Sequence, residues 1–390
     1  MLVSGIFLWA LTAGAVSAKT CHNITVEVPV TARNGLFDKV QTPKTNSEAT
    51  AFAISATKQG GNGTQAALSG YHTVSGHYNI SAQYCVPKQA KGNGHTLQIL
   101  THGIGFDKTY WDLPYNNYNY SYVDHALSRG YHTFSYDRLG IGKSSHGEPK
   151  NEIQAFLEIE ALAELTRQLR KGTVPQIHEK PAKIVHVGHS FGSTQSYALS
   201  AKYPDISDGL VLTGFSTNAT YIPYFLAGAS FQQARLNRQS PGNLTSRKGL
   251  DYSLGYLTSA DTSNNEFLFF QPPYFDPGLL LFAEQNKHPV AVGELLTVGS
   301  LPMQSKFSGP VLVLTGSSDL PFCGGDCLAT GGAAPSIPAE AKLAFPAAKP
   351  FAAHIQPNTG HGLNMHYNAT AGYKYISDFL GAHGLAAEKK

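Results

Sequence analysis

The chain has 390 residues and a formal net charge of +3, and 14% of its residues are charged and 11% aromatic. This length suffices for one large domain with an insertion or for two domains, and the composition is typical of a compact globular protein rather than a disordered one. A charge so close to neutral gives no reason to expect binding to nucleic acid or to an anionic membrane surface.

The first segment, residues 2–18, is apolar and ends in the small residues Val16, Ser17 and Ala18. These features predict a signal peptide at 1–18 that is cleaved after Ala18, although the N-terminal amine is the only positive charge ahead of the apolar run. A retained membrane anchor is the alternative, since the run is close to the shortest length that spans a bilayer. We expect cleavage, and therefore a secreted, extracellular protein with no stable membrane insertion.

Two further features favour secretion. The first is a set of Asn-x-Ser/Thr sequons for N-glycosylation, at Asn23, Asn62, Asn79, Asn119, Asn218, Asn243 and Asn368. The second is an even set of four cysteines, for which we prefer the pairs Cys21–Cys85 and Cys323–Cys327 among three possibilities, because each pair lies within one half of the chain. The Cys-x3-Cys spacing could also be half of a metal site, but no second Cys/His pair at zinc spacing accompanies it, and we predict no metal.

Residues 19–95 form a predicted N-terminal extension with strands at 24–30 and 71–86. Beyond it, strands alternate with helices. The strands are expected at 95–101, 131–136, 184–187, 209–213, 310–315 and 354–356, and the helices at 151–170, 193–202 and 371–380. This alternation predicts an α/β fold, with a mostly parallel central sheet and helices on both of its faces.

The loop after the strand at 95–101 carries His102-Gly103-Ile104-Gly105. In a fold of this class that loop supplies an N–H to an oxyanion, and we predict the N–H of Ile104, with Gly105 as the alternative. A glycine turn without function is the simpler interpretation. We predict that His102, Gly103, Tyr110 and Trp111 contact the substrate. The tyrosines that follow, up to position 122, either line an acyl or aromatic pocket or lie on the surface beside a glycan at Asn119.

The sequence Gly188-His189-Ser190-Phe191-Gly192 stands between a predicted strand and a predicted helix. In that context a strained strand-to-helix turn pushes a serine hydroxyl toward a substrate, so Ser190 is the candidate nucleophile. The start of the helix offers the N–H of Phe191 to a developing oxyanion. His189, inside the same turn, is expected to point into the fold.

The pattern changes between residues 216 and 307, where strand alternation disappears and aromatic residues crowd together. A compact domain rarely contains a loop of this length. We therefore predict a mostly helical lid at 216–307, inserted into an α/β core made of 96–215 and 308–390. Its aromatic content favours an apolar or aromatic ligand.

A catalytic serine needs a base, and that base needs an orienting carboxylate. Asp319 follows the strand at 310–315, and His361 follows the strand at 354–356, so both should lie at the sheet edge where the serine emerges. The competitors are Asp326, which we interpret as a turn residue, and His354 and His366, which we interpret as structural.

These motifs resemble the α/β-hydrolase superfamily, in particular its secreted, lid-bearing fungal members with serine esterase or lipase activity. The resemblance covers about 90–215 and 308–385 and rests on motifs in the superfamily's order: His102-Gly103, Asp137-Arg138-x-Gly-x-Gly-x-Ser, the Gly-x-Ser-x-Gly turn, the Asp319 turn and Gly360-His361. It implies a serine nucleophile, a two-donor oxyanion hole, no cofactor and hydrolysis of an ester-like bond. Relatives that cleave epoxides or haloalkanes carry Asp at the nucleophile position, so the serine argues against both.

The sequence thus predicts a secreted serine hydrolase that acts on carboxylic esters or lactones of apolar or aromatic small molecules. The superfamily also includes C–C bond hydrolases, thioesterases, lyases and cofactor-free haloperoxidases, and enzymes that tailor secondary metabolites, so the fold alone does not choose the reaction. A non-catalytic binding protein is a further alternative, although a binder has no need of all three of Ser190, Asp319 and His361.

Overall fold

The computed structural model describes residues 19–58, 63–88, 94–237, 252–300, 302 and 304–387. The predicted signal peptide at 1–18 and the sequons at Asn62 and Asn243 lie outside the described residues. Within the described ranges, no helix combines the length and the apolar character that a membrane span requires.

The strands of the described chain, in order, are β1 (Thr20–Leu36), β2 (Gly70–Val86), β3 (Thr96–Thr101), β4 (His132–Tyr136), β5 (Lys183–His189), β6 (Gly209–Thr213), β7 (Gln232–Gln233), β8 (Tyr256–Thr258), β9 (Val290–Ala291), β10 (Val311–Gly316) and β11 (Phe351–Gln356). Eight of them form the central sheet, in the order β1-β2-β4-β3-β5-β6-β10-β11.

The α-helices are α1 (Asn46–Ala56), α2 (Gly63–Ala67), α3 (Tyr122–Ser128), α4 (Ala155–Lys171), α5 (Phe191–Lys202), α6 (Ile222–Ala229), α7 (Thr262–Phe269), α8 (Pro277–Gln285), α9 (Val292–Thr297), α10 (Leu320–Cys323) and α11 (Ala369–Ala382). Short 3-10 helices lie at Lys108–Trp111, Ala234–Leu236, Pro338–Ala344 and Leu363–Met365.

Six neighbouring strands of the central sheet are mutually parallel: β4, β3, β5, β6, β10 and β11. Every residue of β3, β4, β6 and β10 is buried, as expected for strands covered on both faces. Helices α3 and α11 pack on one face, and α4 and α5 on the other. The α/β prediction is therefore confirmed.

Helix α4 illustrates how local sequence produces these elements. Leu157, Leu162, Leu165 and Leu169 recur at helical spacing and are buried against the sheet. The helix ends at Gly172, whose φ of 68° is a left-handed conformation that glycine adopts without a steric cost.

The N-terminal extension joins the main sheet. β1 and β2 pair antiparallel over their whole lengths, from Thr20↔Val86 to Leu36↔Gly70, and β2 pairs in turn with β4. The alternating buried residues of β1 pack against α4, which gives this strand its hydrophobic face. β1 is longer than the predicted run at 24–30, and the sequence analysis did not anticipate α1 and α2.

The region predicted as a lid, 216–307, contains α6 to α9 and also a three-stranded sheet in the order β7-β8-β9. The sequence analysis expected no strands here. These strands are two or three residues long, which is too short for an alternating pattern to be recognised in the sequence.

Candidate active site

Ser190 lies at a tight turn between β5 and α5. Its φ of 55° and ψ of −118° are outside the regions that a non-glycine residue normally adopts, a form of strain that is concentrated at functional sites. A Cβ on Gly188 would lie 2.5 Å from the carbonyl oxygen of Gly192, and one on Gly192 would lie 2.1 Å from that of Thr101. The two glycines are therefore required by close backbone packing around the serine.

The structure brings together the three residues of the predicted triad. The Nε2 atom of His361 lies 2.7 Å from Oγ of Ser190, and its Nδ1 atom lies 2.6 Å from Oδ2 of Asp319. Because a carboxylate only accepts, Nδ1–H donates to Asp319, and Nε2 is left to accept the serine proton. Ser190, Asp319 and His361 are 8%, 0% and 1% exposed, so the site is nearly dry.

Asp319 is held by the start of α10. Its Oδ1 accepts a hydrogen bond of 3.0 Å from the N–H of Phe322, which leaves Oδ2 for His361. The Cys323–Cys327 disulfide closes the loop directly after it, and the N–H of Cys327 donates to the carbonyl of Ser317. This disulfide thus fixes the loop that carries the carboxylate.

The competing residues lie elsewhere. Asp326 caps its own loop by accepting from the N–H of Leu328, and His354 stacks on the ring of Tyr375 at 3.9 Å. His366 is structural, as predicted: its Nε2 accepts from the backbone N–H groups of Gly360 and Gln271, at 3.0 Å each.

Burial lowers the pKa of His366 to about 4, so its imidazole is neutral and can accept at Nε2. Its Nδ1–H donates to the carbonyl of Gly362, whose own N–H donates to the carbonyl of Phe269. One neutral imidazole therefore fastens the loop of His361 to the segment between α7 and α8.

The two predicted oxyanion donors lie beside the nucleophile. Ile104, Ser190 and Phe191 line one small cavity of about 30 Å³. Phe191 is the first residue of α5, so no helical carbonyl faces its N–H. In the part of the chain that is described, neither this N–H nor that of Ile104 has a protein acceptor.

Gly103 packs against the nucleophile, since a Cβ at this position would lie 2.8 Å from Cβ of Ser190. His102 does not face the cavity. It is fully buried, its Nε2 accepts from the N–H of Arg138 at 3.0 Å, and its Nδ1–H donates to its own neighbour, the Gly103 carbonyl. Burial and then Arg138 lower its pKa, which keeps the ring neutral. The prediction that His102 contacts the substrate is corrected: it braces the oxyanion loop.

Tyr110 and Trp111 require the same correction. Both are 1% exposed, and neither lines the cavity at the nucleophile. Tyr110 stacks on His189 with ring centroids 4.4 Å apart, and Trp111 packs edge-on against Tyr122 at 5.3 Å. The structure places them in the core, where they support the nucleophile turn from behind.

His189 points into the fold, as expected from the sequence. Burial, followed by the nearby His361 and His102, lowers its pKa, and its ring centroid lies 5.0 Å from that of His361. A neutral ring at this distance adds no positive charge beside the candidate base.

The walls of the small cavity come mainly from residues that the sequence analysis did not single out. They are apolar side chains of α6, α9 and α10: Ile222, Phe225, Leu226, Leu295, Pro321 and Phe322. The aromatic-rich composition of 216–307 pointed to this region, but no local pattern marked which side chains face the serine.

The model of the alpha/beta hydrolase family matches residues 98–372 of this chain. The chain belongs to the alpha/beta hydrolase family. No similar protein was found among curated sequences.

Solved structures with this fold include a bromoperoxidase from Bacillus anthracis, with 18% identity, a TM-score of 0.50 and coverage of 78% of this chain and 96% of that one. A thermophilic esterase from Thermogutta terrifontis has 17% identity, a TM-score of 0.48 and coverage of 79% and 95%. A monoacylglycerol lipase from Paleococcus ferrophilus has 15% identity, a TM-score of 0.48 and coverage of 75% and 98%. At such identities the likeness concerns the fold.

This alpha/beta hydrolase also carries a buried ion cluster next to α5, the helix that begins at Phe191. Arg138, 1% exposed, donates from Nη1 to Glu158 of α4 at 2.7 Å and to Glu294 of α9. Its guanidinium lies 4.8 Å from the ring centroid of Phe191. The cluster therefore joins the 216–307 region to the core behind the nucleophile.

Glu158 receives a second donor, the side-chain amide of Gln195. Burial, reinforced by the nearby carboxyl of Glu294, holds the pKa of Glu158 well above its usual range even though Arg138 opposes the shift. The guanidinium thus lies between two carboxyl groups, and burial favours the protonated form of Glu158. Within the described ranges, no group of three or more His, Cys, Asp or Glu side chains is arranged to hold a metal ion.

Proposed function

We propose that this chain is a secreted serine hydrolase that cleaves carboxylic ester or lactone bonds of apolar or aromatic small molecules through an acyl-enzyme. The observation that carries the proposal is the continuous hydrogen-bonded row from Ser190 Oγ through the His361 ring to Asp319, with separations of 2.7 and 2.6 Å. A serine in an unusual backbone conformation, with a base and an orienting carboxylate in place, is the arrangement that nucleophilic catalysis needs.

The geometry supports the following reaction. As Ser190 Oγ attacks the ester carbonyl, His361 Nε2 takes its proton, and Asp319 stabilises the imidazolium that forms. The N–H groups of Phe191 and Ile104 stabilise the oxyanion. The imidazolium then gives its proton to the departing alcohol, and His361 activates a water molecule that hydrolyses the acyl-enzyme and restores the serine.

The preference for apolar substrates rests on the cavity at the nucleophile. Its lining contains no charged side chain, and its polar lining residues are Ser190 and Thr194. A charged substituent next to the scissile bond would lose its hydration there without gaining a partner.

Secretion is supported by the apolar segment at 1–18 and by the two disulfides, Cys21–Cys85 and Cys323–Cys327, which are the pairs preferred in the sequence analysis. Asn23, Asn79 and Asn119 are exposed and accessible for glycosylation.

Two other sequons are half-buried. The side-chain oxygen Oδ1 of Asn218 accepts a hydrogen bond from the N–H of Thr220. The side-chain nitrogen Nδ2 of Asn368 donates to the carbonyl of Pro357 at 2.6 Å. A glycan on the Asn368 nitrogen competes with that hydrogen bond. We therefore propose the exposed sequons as the main glycosylation sites, to be checked by site-resolved mass spectrometry of the secreted protein.

The proposal is tested with p-nitrophenyl butyrate and a fluorophosphonate label. We expect the label on the Ser190 peptide, loss of p-nitrophenol release in Ser190→Ala, and a fall of about 10⁴-fold in kcat for Asp319→Asn, because the amide no longer selects the correct imidazole tautomer. Asp326→Asn is the matched control, since it changes a neighbouring carboxylate that does not face His361.

Two outcomes would count against the proposal. Unchanged turnover in folded Ser190→Ala would remove the serine from the mechanism. Equal losses in Asp319→Asn and Asp326→Asn would remove the assigned carboxylate. A burst of p-nitrophenol equal to the enzyme concentration distinguishes an acyl-enzyme from the chemistry of a lyase, which forms none.

A further inference from the structure

A much larger cavity lies beside the small one at the nucleophile. Its volume is about 1500 Å³, above the ~300–1,000 Å³ that is typical of small-molecule sites. The residues that line both cavities are Thr194, Ile222, Leu226, Leu295, Val298 and Phe322. Because the two cavities share these walls, they are neighbours along α6 and α9, and the larger one lies directly next to the space at Ser190.

The N-terminal extension builds the outer wall of this larger cavity, which we call the α1 cleft. Ala51, Phe52 and Ser55 of α1 line it, on one face of the helix. The helix packs against α6, which lines both cavities. Ile54 is 66% exposed and does not line the cleft, so its side chain points away from the cleft. This wall lies outside residues 98–372, the part of the chain that matches the family.

The chemistry of the α1 cleft changes along its length. Aliphatic and aromatic side chains of α1, α6 and α9 contribute part of its lining, and the end shared with the small cavity has no charged residue. The charged lining residues are Arg33, Lys39 and Glu48, and all three belong to the N-terminal extension. The Arg33 guanidinium lies 4.5 Å from the ring centroid of Tyr71. The cleft therefore suits a long apolar group that starts at the serine and ends near a polar rim.

We propose that the α1 cleft binds an extended apolar arm of the substrate, such as a long acyl chain, and that the N-terminal extension sets the preferred length of that arm. The proposal rests on the ester hydrolysis proposed above. Each methylene that leaves water for an apolar wall is worth about a fourfold gain in binding. Extension of the acyl chain should therefore raise kcat/KM until the chain reaches the far wall.

The test measures kcat/KM for p-nitrophenyl esters from acetate to palmitate. For the wild type we expect kcat/KM to rise at least tenfold from acetate to the preferred chain. Ala51→Trp and Ser55→Trp should fill the cleft at α1, shift the optimum to shorter acyl chains, and leave kcat/KM for acetate within about twofold. Ile54→Trp is the matched control on the same helix, and its chain-length profile should equal that of the wild type.

A second measurement is independent of turnover. Calorimetric titration of dodecanoate into Ser190→Ala should give measurable binding that weakens at least tenfold in the Ser190→Ala/Ala51→Trp double variant and is retained in Ser190→Ala/Ile54→Trp. Circular dichroism spectra that match the wild type ensure that folded proteins are compared.

The outcomes separate the two proposals. If short esters are hydrolysed but the wild type shows no chain-length optimum, or the Ile54 and Ala51 variants shift it equally, ester hydrolysis stands and the role of the α1 cleft is refuted. If no ester is turned over but dodecanoate binds with the expected dependence on Ala51, the cleft assignment stands and the proposed reaction is refuted. Absence of dodecanoate binding together with a flat profile refutes the cleft assignment.

Discussion

Removal of the positive charge from the buried Arg138 cluster gives a stability change whose size and pH dependence follow from the structure. In Arg138→Met the long apolar stem is kept, and the guanidinium that bonds Glu158 and Glu294 is lost. Burial raises the pKa of Glu158 and so favours its neutral form. The remaining carboxylate then has no charged partner, and it must take up a proton when the chain folds.

The cost of that proton rises with pH. An unfolded glutamate has a pKa of about 4.3, and each pH unit above it costs about 1.4 kcal/mol. Arg138→Met should therefore lose about 4 kcal/mol of unfolding free energy at pH 7 but only about 1 kcal/mol at pH 5. The value at pH 7 agrees with the 3–5 kcal/mol typical of breaking a buried ion pair.

Urea unfolding at the two pH values, followed by far-UV circular dichroism, measures this difference. Glu158→Gln is the control, because an amide resembles the protonated carboxyl that burial favours at this position, and it should change the unfolding free energy by less than about 1 kcal/mol at pH 7. An Arg138→Met variant that is equally destabilised at pH 5 and pH 7 would show that its loss comes from packing rather than from charge.

Three more predictions concern the site and its supports. Gly103→Ala should lower kcat by at least tenfold, because the new Cβ would lie 2.8 Å from that of Ser190, and the overpacking should cost about 1–3 kcal/mol of unfolding free energy. Ester hydrolysis measures the first effect and urea unfolding the second, and an unchanged kcat would contradict the tight fit. The folded-state pKa of His366 is about 4, below the ~6.5 of an unfolded histidine, so its contribution to stability is present above pH 6.5 and falls by about 3 kcal/mol as pH drops to 4. His366→Gln should therefore flatten the acid side of a plot of unfolding free energy against pH, and an unchanged acid side would refute this. Replacement of Cys21 and Cys85 with serine opens a loop with a sequence separation of 64 and should lower the unfolding free energy by about 4 kcal/mol through chain entropy. A decrease below about 1 kcal/mol in urea unfolding would show that strand pairing alone holds β1 in place.

The grouping of the three proposed catalytic residues was predictable because each of them has a local signal in the sequence. Ser190 stands between a strand and a helix within a glycine pattern, and Asp319 and His361 each follow the end of a buried strand. Parallel strands bring such loops to one edge, so local patterns were enough to predict that they meet. The side-chain hydrogen bonds of 2.7 and 2.6 Å agree with that expectation.

Other features have no local signal. The direction of Tyr110 and Trp111 depends on what packs over them, and Trp111 packs against Tyr122, which contacts Tyr373 of α11 more than two hundred residues later. The apolar residues of α1 do not recur at helical spacing on one face, and Ala49 is its one buried residue, so the sequence gives little indication of a helix there. The walls of the α1 cleft come from several distant segments and exist only in the folded chain.

Nε2 of His366 accepts two backbone hydrogen bonds, and this has a consequence for how a substrate reaches Ser190. The same nitrogen holds the backbone at Gly360, next to His361, and at Gln271, ahead of α8. Movement of the 269–271 segment would displace the loop of His361, the proposed base, so an entrance formed there would misalign this residue each time it opened. Entry and exit of ligands through the side bounded by α1 and α6 would leave the two hydrogen bonds of His366 intact. His361 would then stay aligned with Ser190 while ligands bind and leave.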